Sequence, residues 1–380
     1  MKLFQTITVL FTLAVVTSSG LSQWSLQTGL SGKYDDNINN NYLQMKDKIT
    51  SLSLTGSYTW ETDNSATEMF YSGSLNYYST TIDRTFHYHS IGIDYNHLYG
   101  EEQDTYLNLG ASYSTRINRN DYTLYDHNQL NLFGTIKFPI SERFAGMSGY
   151  SFTYLNMKEV PDFNYIEHAA FFQLKSFLPT RTTIILQTDL GYKMYTTPNI
   201  DTTSTGSSGR WGDKNSSSTS SYPGVTQLIG MMRIGQAIVD GTGLSLSGQY
   251  ILNLQSESRY ILSYDGIVSG DDIFDDQYSY EGPSANITLT QLLPAQVVLK
   301  LTAGIQNRNY LLRPAYDLIG TEIADKRVDT RKNIFLSTEK NFEDLGISLG
   351  LSYEYLQNSS NDEYFKYSNN IFGISLMYQY

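Results

Sequence analysis

Five histidines, at positions 87, 89, 97, 127 and 168, carry most of the chemistry open to this sequence. His87 and His89 are spaced i, i+2. That spacing puts both on one face of an extended chain, within reach of a shared metal ion. No carboxylate or third histidine stands at a supporting spacing, so no metal site is assigned and the pair reads as polar residues at a boundary. Ser90 follows His89, but neighbours on a strand point to opposite faces. No His-Glu-x-x-His stretch occurs. With no cysteine, there is no thiolate ligand, disulfide or cysteine nucleophile. Catalysis would need groups gathered from distant segments. No catalytic residue and no cofactor is assigned, and the chain is read as a non-enzyme.

Carboxylates gather in two places: Asp35 with Asp36, and Asp265, Asp271, Asp272, Asp275 and Asp276. Hard oxygens suit calcium, or bridges through divalent ions to lipid head groups. No EF-hand spacing is present, and a solvated acidic loop accounts for them. The stretch 201–224 is rich in serine, threonine and glycine around Arg210, Trp211 and Lys214. Its composition predicts a mobile external loop. The alternative is a loop folded inward as a constriction.

The elements that must position these residues follow from composition and period. A net charge of -12 over 380 residues excludes nonspecific nucleic-acid binding, which needs a basic surface. Mean hydropathy is -0.34, too polar for a helical membrane protein, while 14% of residues are aromatic and 32 are tyrosine. Met1 and Lys2, an apolar stretch over 3–16 and the small polar residues 17–22 predict a secretory signal peptide over 1–22, cut before Gln23. Residues 23–380 form one domain.

In that domain the period is two. Leu244, Leu246, Tyr250 and Leu252 oppose Ser245, Ser247, Gln249 and Asn253; Ile347, Leu349, Leu351, Tyr353 and Tyr355 oppose Ser348, Ser352 and Glu354. About sixteen such segments are predicted, each long enough for a tilted membrane strand. They fall at 23–35, 48–61, 67–80, 85–98, 103–117, 123–138, 142–157, 163–178, 181–195, 224–238, 242–257, 277–292, 295–309, 329–341, 344–358 and 365–380. Every second connection is tight, while those at 36–47, 196–224, 257–277 and 310–327 are long. Short turns on one side and long loops on the other are the habit of a transmembrane barrel. The fold class is therefore all-β: an antiparallel up-and-down barrel of about sixteen strands, with 14 or 18 as alternative counts. Closure removes the open edges that hydrocarbon does not tolerate. Tyrosine and tryptophan suit the two membrane interfaces.

The last segment alternates Phe372, Ile374, Leu376, Tyr378 and Tyr380 with Gly373, Ser375, Met377 and Gln379. It resembles the C-terminal signal read by the assembly machinery of outer-membrane barrels in Gram-negative cells. Lys33-Tyr34-Asp35-Asp36-Asn37-Ile38 is similar to a Tyr-Asp-Asp-Asn-Ile stretch after the first strand of outer-membrane β-barrel porin families. Related barrels occur in exporters of surface polysaccharide and surface lipoproteins. Such exporters often carry a periplasmic helical-repeat domain ahead of the barrel, and the first strand here is expected to begin near Trp24. The resemblance implies a multi-pass barrel in the cell outer membrane, with membrane lipid and the assembly machinery as partners and no nucleic acid. The oligomeric state is left open.

The polar parity is expected to line a lumen. Its charged candidates are Lys33, Glu61, Asp94, Arg116, Lys137, Lys175, Asp189, Arg233, Lys300, Arg308, Arg331 and Glu354. Their excess of bases predicts anion preference. The functional expectation is a pore for diffusion of small hydrophilic solutes. Alternatives are a display, loop-binding or export-associated barrel, and an enzyme working at the barrel rim.

Overall fold

The computed structural model describes residues 23–100, 104–202, 218–257 and 277–380. The expected leader 1–22, the residues Arg210, Trp211 and Lys214, and the carboxylates from Asp265 to Asp276 lie outside them. Sixteen strands form one closed barrel. In chain order they are β1 (Trp24–Asp35), β2 (Asp47–Glu61), β3 (Ser65–Tyr78), β4 (Phe86–Tyr99), β5 (Thr105–Asn118), β6 (His127–Ser141), β7 (Phe144–Met157), β8 (Tyr165–Leu178), β9 (Thr182–Tyr195), β10 (Gly224–Val239), β11 (Thr242–Ser256), β12 (Tyr280–Leu293), β13 (Val297–Tyr310), β14 (Val328–Phe342), β15 (Ile347–Ser360) and β16 (Tyr367–Gln379).

All neighbours are antiparallel, and β1 pairs β16 from Gln27 opposite Gln379 to Asp35 opposite Ile371. The count of sixteen stands, with ends moved by a few residues. The sixth strand starts at His127 rather than 123, because a short 3₁₀ helix occupies Asn120–Tyr125. Asn120 opens that helix with φ 44°, a left-handed conformation that breaks an extended chain. Two small hairpins within loops were not expected: Asn199–Thr202 with Ser218–Ser221, and Ala315–Tyr316 with Glu322–Ala324.

The outer face is apolar. Leu30, Leu52, Ile91, Phe172, Leu186, Leu246, Leu351 and Ile374 stand exposed round the girth of the barrel. Trp24, Trp60, Tyr99 and Tyr380 ring the short-turn end; Tyr34, Tyr77, Tyr154 and Tyr192 ring the other. An aliphatic belt between two aromatic rings has the form that a bilayer solvates. The protein is thus a multi-pass β-barrel of the outer membrane.

Among the described residues, the buried apolar clusters gather at one end of the interior. Tyr125, Leu155, Met157, Phe163 and Tyr195 form one buried cluster, and Ile251, Tyr280 and Tyr310 another. All lie where the long loops join the strands. That end is the external mouth in barrels of this kind.

Candidate functional site

The inner wall is the candidate site. Strand register assigns each charge to a face, because cross-strand partners share one. The twelve lumen candidates do not converge. Glu61 and Lys137 stand exposed towards the short-turn end, while Lys300 and Arg233 stand exposed on β13 and β10. Arg233 Nε donates to Ser245 Oγ at 3.2 Å, and Lys175 lies 4.6 Å from the Phe177 ring. Asp189 Oδ1 accepts from Gln187 Nε2 at 2.7 Å. Arg116 sits 4.1 Å over the Phe86 ring, and Arg308 4.5 Å over Tyr280. Lys33 bonds Asp35 at 3.0 Å. Arg331 and Glu354 are the two that share a recess.

The same face holds acids beyond the twelve. Glu68 is the cross-strand partner of Asp94, and Asp35 that of Asp47. Glu339 stands exposed on the same face of β14, opposite Val298. These carboxylates offset the basic excess. Periodicity would have shown Glu68, which shares the parity of Phe70, Ser72 and Ser74.

The external mouth is built from buried polar groups. Asp47 is a clamp: Ser79 Oγ, Thr80 N, Thr81 N and Thr81 Oγ1 all donate to its carboxylate at 2.7–3.0 Å. The Asp35-Asp36 pair is likewise occupied. Asp35 Oδ1 accepts from Asn37 N and Asn369 Nδ2, and Asp36 accepts from Asn370 N at 2.6 Å and Asn370 Nδ2 at 2.7 Å. The Tyr-Asp-Asp-Asn-Ile stretch thus stitches β1 to β16 at the closing seam.

A short strap packs inside the mouth. Residues Gln277–Ser279, a 3₁₀ helix just before β12, bond to side chains of the inner wall. Gln227 Nε2 donates to the Gln277 carbonyl at 2.8 Å, and Arg313 Nη2 donates to Ser279 Oγ at 3.1 Å. The Tyr278 hydroxyl donates to Glu167 Oε1 at 2.7 Å, four strands from its own. Lys193, 2% exposed, lies among the Tyr165, Tyr195 and Tyr278 rings, with its Nζ 4.1 Å from the first.

Asp362, in the turn before β16, accepts from Tyr316 N at 3.1 Å and Tyr364 N at 3.0 Å, docking the loop hairpin onto that turn. Burial pushes its carboxyl above the ordinary range, against the pull of those two amides and Arg327; Asp329 adds to the rise. A raised carboxyl pKa means the folded state holds the proton more tightly than the unfolded chain. The contribution is therefore full below the unfolded value of about 3.9 and is lost as pH rises through the folded one. Loop 311–327 should resist protease increasingly as pH falls from neutral towards about 3.9, and Asp362→Asn should flatten that dependence. Limited proteolysis of both proteins across this pH range is the check, and an equally steep profile in the variant would contradict it.

The histidines do not form a site. Tyrosine hydroxyls meet Nδ1 of His89, His97 and His168 at 2.8, 3.1 and 2.6 Å. These pairs lie on the lipid-facing parity. His87 and His89 stack with ring centres 6.3 Å apart. Among the described residues no group of three metal-ligating side chains converges. Gly346-Ile347-Ser348-Leu349-Gly350 has the spacing of a nucleophile elbow, but Ser348 lies within the straight run of β15 rather than on a strand-to-helix turn.

With closure, apolar girdle and polar wall in place, comparison with solved structures agrees. The fold is that of outer-membrane β-barrel porins. The outer membrane protein opdK from Pseudomonas aeruginosa aligns over 94% of this chain and 100% of its own, at 9% identity and TM-score 0.52. A bacterial polysaccharide outer membrane secretin aligns over 93% and 98%, at 9% identity and TM-score 0.50. At that identity the likeness concerns the fold. A family model described as surface lipoprotein assembly modifier matches residues 233–379, which run from within β10 through β16. No curated protein matches the sequence.

Proposed function

We propose that this barrel is an outer-membrane pore through which small hydrophilic solutes diffuse, narrowed at its external mouth by inward-folded loops. The observation that carries this reading is the inner wall. Charges of both signs are spread over most strands of a barrel of sixteen, a width at which barrels hold a water-filled channel. The twelve candidate residues would line that channel. Phe372, Ile374, Leu376, Tyr378 and Tyr380 would serve the assembly machinery as its handle, and membrane lipid would solvate the girdle.

Single-channel conductance in a planar bilayer under a salt gradient is the test. A steady current is expected, and a correctly folded but silent barrel would refute an open pore. Because Glu68, Glu339 and the paired Asp35 offset the bases, the reversal potential should lie near zero. Glu68→Gln with Asp94→Asn should move it towards anion preference. No shift in that variant would mean that these carboxylates do not face the permeating ions.

A second reading has its own support. The model match over 233–379 suggests a barrel that assists surface assembly of lipoproteins. Leu318, Ile319 and Ile323 stand exposed on the loop hairpin, Ile319 at 88%, as a partner-binding tip would. Deleting 317–321 should then abolish lipoprotein display and leave the conductance unchanged.

A further inference from the structure

The wall of β12 to β15 holds a recess of about 300 Å³, lined by Ser284, Asn286, Gln306, Arg331, Asn333 and Glu354. Register explains the grouping. Ser284, Gln306 and Arg331 form one cross-strand row, and Asn286, Gly304 and Asn333 form the next. Gly304 has no side chain, and the carboxamide oxygens of Asn286 and Asn333 both lean over it. A Cβ at this position would collide with both.

Most polar groups near this recess are committed. Gln306 Oε1 accepts from Arg308 Nε at 3.0 Å, and Arg327 Nε donates to Asp329 Oδ1 at 3.0 Å. Arg331 and Glu354 differ. Among the described residues neither forms an ion pair or hydrogen bond, with the other or with a neighbour. Opposite charges that share a recess yet do not pair leave two strong binding groups for a third party.

We infer that this recess binds a small zwitterion, its carboxylate on Arg331 and its ammonium on Glu354 and the two carboxamide oxygens. A guanidinium presents a planar fork that fits a carboxylate. An ammonium has three donors, and Glu354, Asn286 and Asn333 supply three acceptors. Spacing sets the size. Arg331 pairs with Asn358, so Glu354 lies four residues further along β15, roughly 13 Å at 3.3 Å per residue. The two side chains take up part of that length, and a dipeptide, about 7 Å when extended, fills the rest. The inference rests on the pore reading, whose solute class it names.

Alanyl-alanine is the probe, added to planar bilayers that hold the barrel purified from membranes. A saturable fall in current is expected. The N-acetyl and the C-terminal amide analogues, each lacking one charge, should act about tenfold more weakly. Arg331→Gln and Glu354→Gln should each raise the half-blocking concentration by about the same factor. Lys332→Gln, on the outer face of the same strand, should not. Equal block by all three peptides, or unchanged block in both variants, would overturn the inference. A barrel that carries no current defeats the pore reading separately. Calorimetry in detergent then decides the recess: saturable dipeptide binding lost in the two variants upholds it, and no binding overturns it.

Discussion

Asp329→Ala is expected to cost about 3–5 kcal/mol, the penalty of leaving a buried charge without its partner. Arg327 and Asp329 are almost fully buried at the external mouth, with side chains 4% and 2% exposed. Arg327 Nε donates to both carboxylate oxygens, at 3.0 and 3.1 Å, and Nη2 donates to Oδ2. The guanidinium is layered between Phe365, 3.4 Å from its centre, and Tyr310 at 4.4 Å. Asn358 Nδ2 donates to Asp329 and to the Phe365 carbonyl, so the same unit fixes β14, β15 and the last turn. Removing the carboxylate strands the cation in a buried site. Replacing both charges together, as Arg327→Met with Asp329→Leu, should recover most of the loss, because two desolvation penalties vanish with the bond. Urea titration of the barrel in lipid vesicles measures both. A double variant as unstable as the single one would show that the ion pair itself, rather than its burial, holds the mouth together.

The barrel was legible from the sequence because one physical constraint governs every strand. Lipid on one face and water on the other force a period of two. Leu349 and Leu351 against Ser348 and Ser352 announce their faces without any tertiary information. Sorting of short and long connections then gave direction. The mouth was not legible for the opposite reason. Tyr278 meets Glu167 across 111 positions, and Arg327 meets Phe365 across a loop and two strands. Neither contact leaves a local pattern. Asp35-Asp36 shows the limit most clearly: as sequence it is an acidic pair fit for a cation, and in the fold its oxygens are taken by Asn37, Asn369 and Asn370. The recess is legible only in part. Parity marks Arg331 and Glu354 one by one, but the hollow over Gly304 that joins them depends on strand register, which a sequence states only to within a slip.

Tyr278→Ala should raise single-channel conductance by a factor of about two, since current follows the narrowest section of a pore. Tyr278 is 3% exposed and anchors the middle of the strap, through the bond to Glu167 and the ring beside Lys193. Without that ring the strap keeps Gln227 and Arg313 but loses its hold on β8, four strands away. Tyr278→Phe separates the contributions. It keeps the ring and loses one charge-assisted hydrogen bond, a change of about 1.5–3 kcal/mol that should leave conductance near the wild-type level. Gly191 offers an independent approach from the wall. A Cβ there would collide with the Tyr278 hydroxyl, so Gly191→Ala should dislodge the same ring without altering the strap. Conductance that rises in Tyr278→Ala and Gly191→Ala but not in Tyr278→Phe would place the narrowest section at this ring. Unchanged conductance in all three would mean that ions pass elsewhere in the mouth, and that the strap braces the wall without setting the bore.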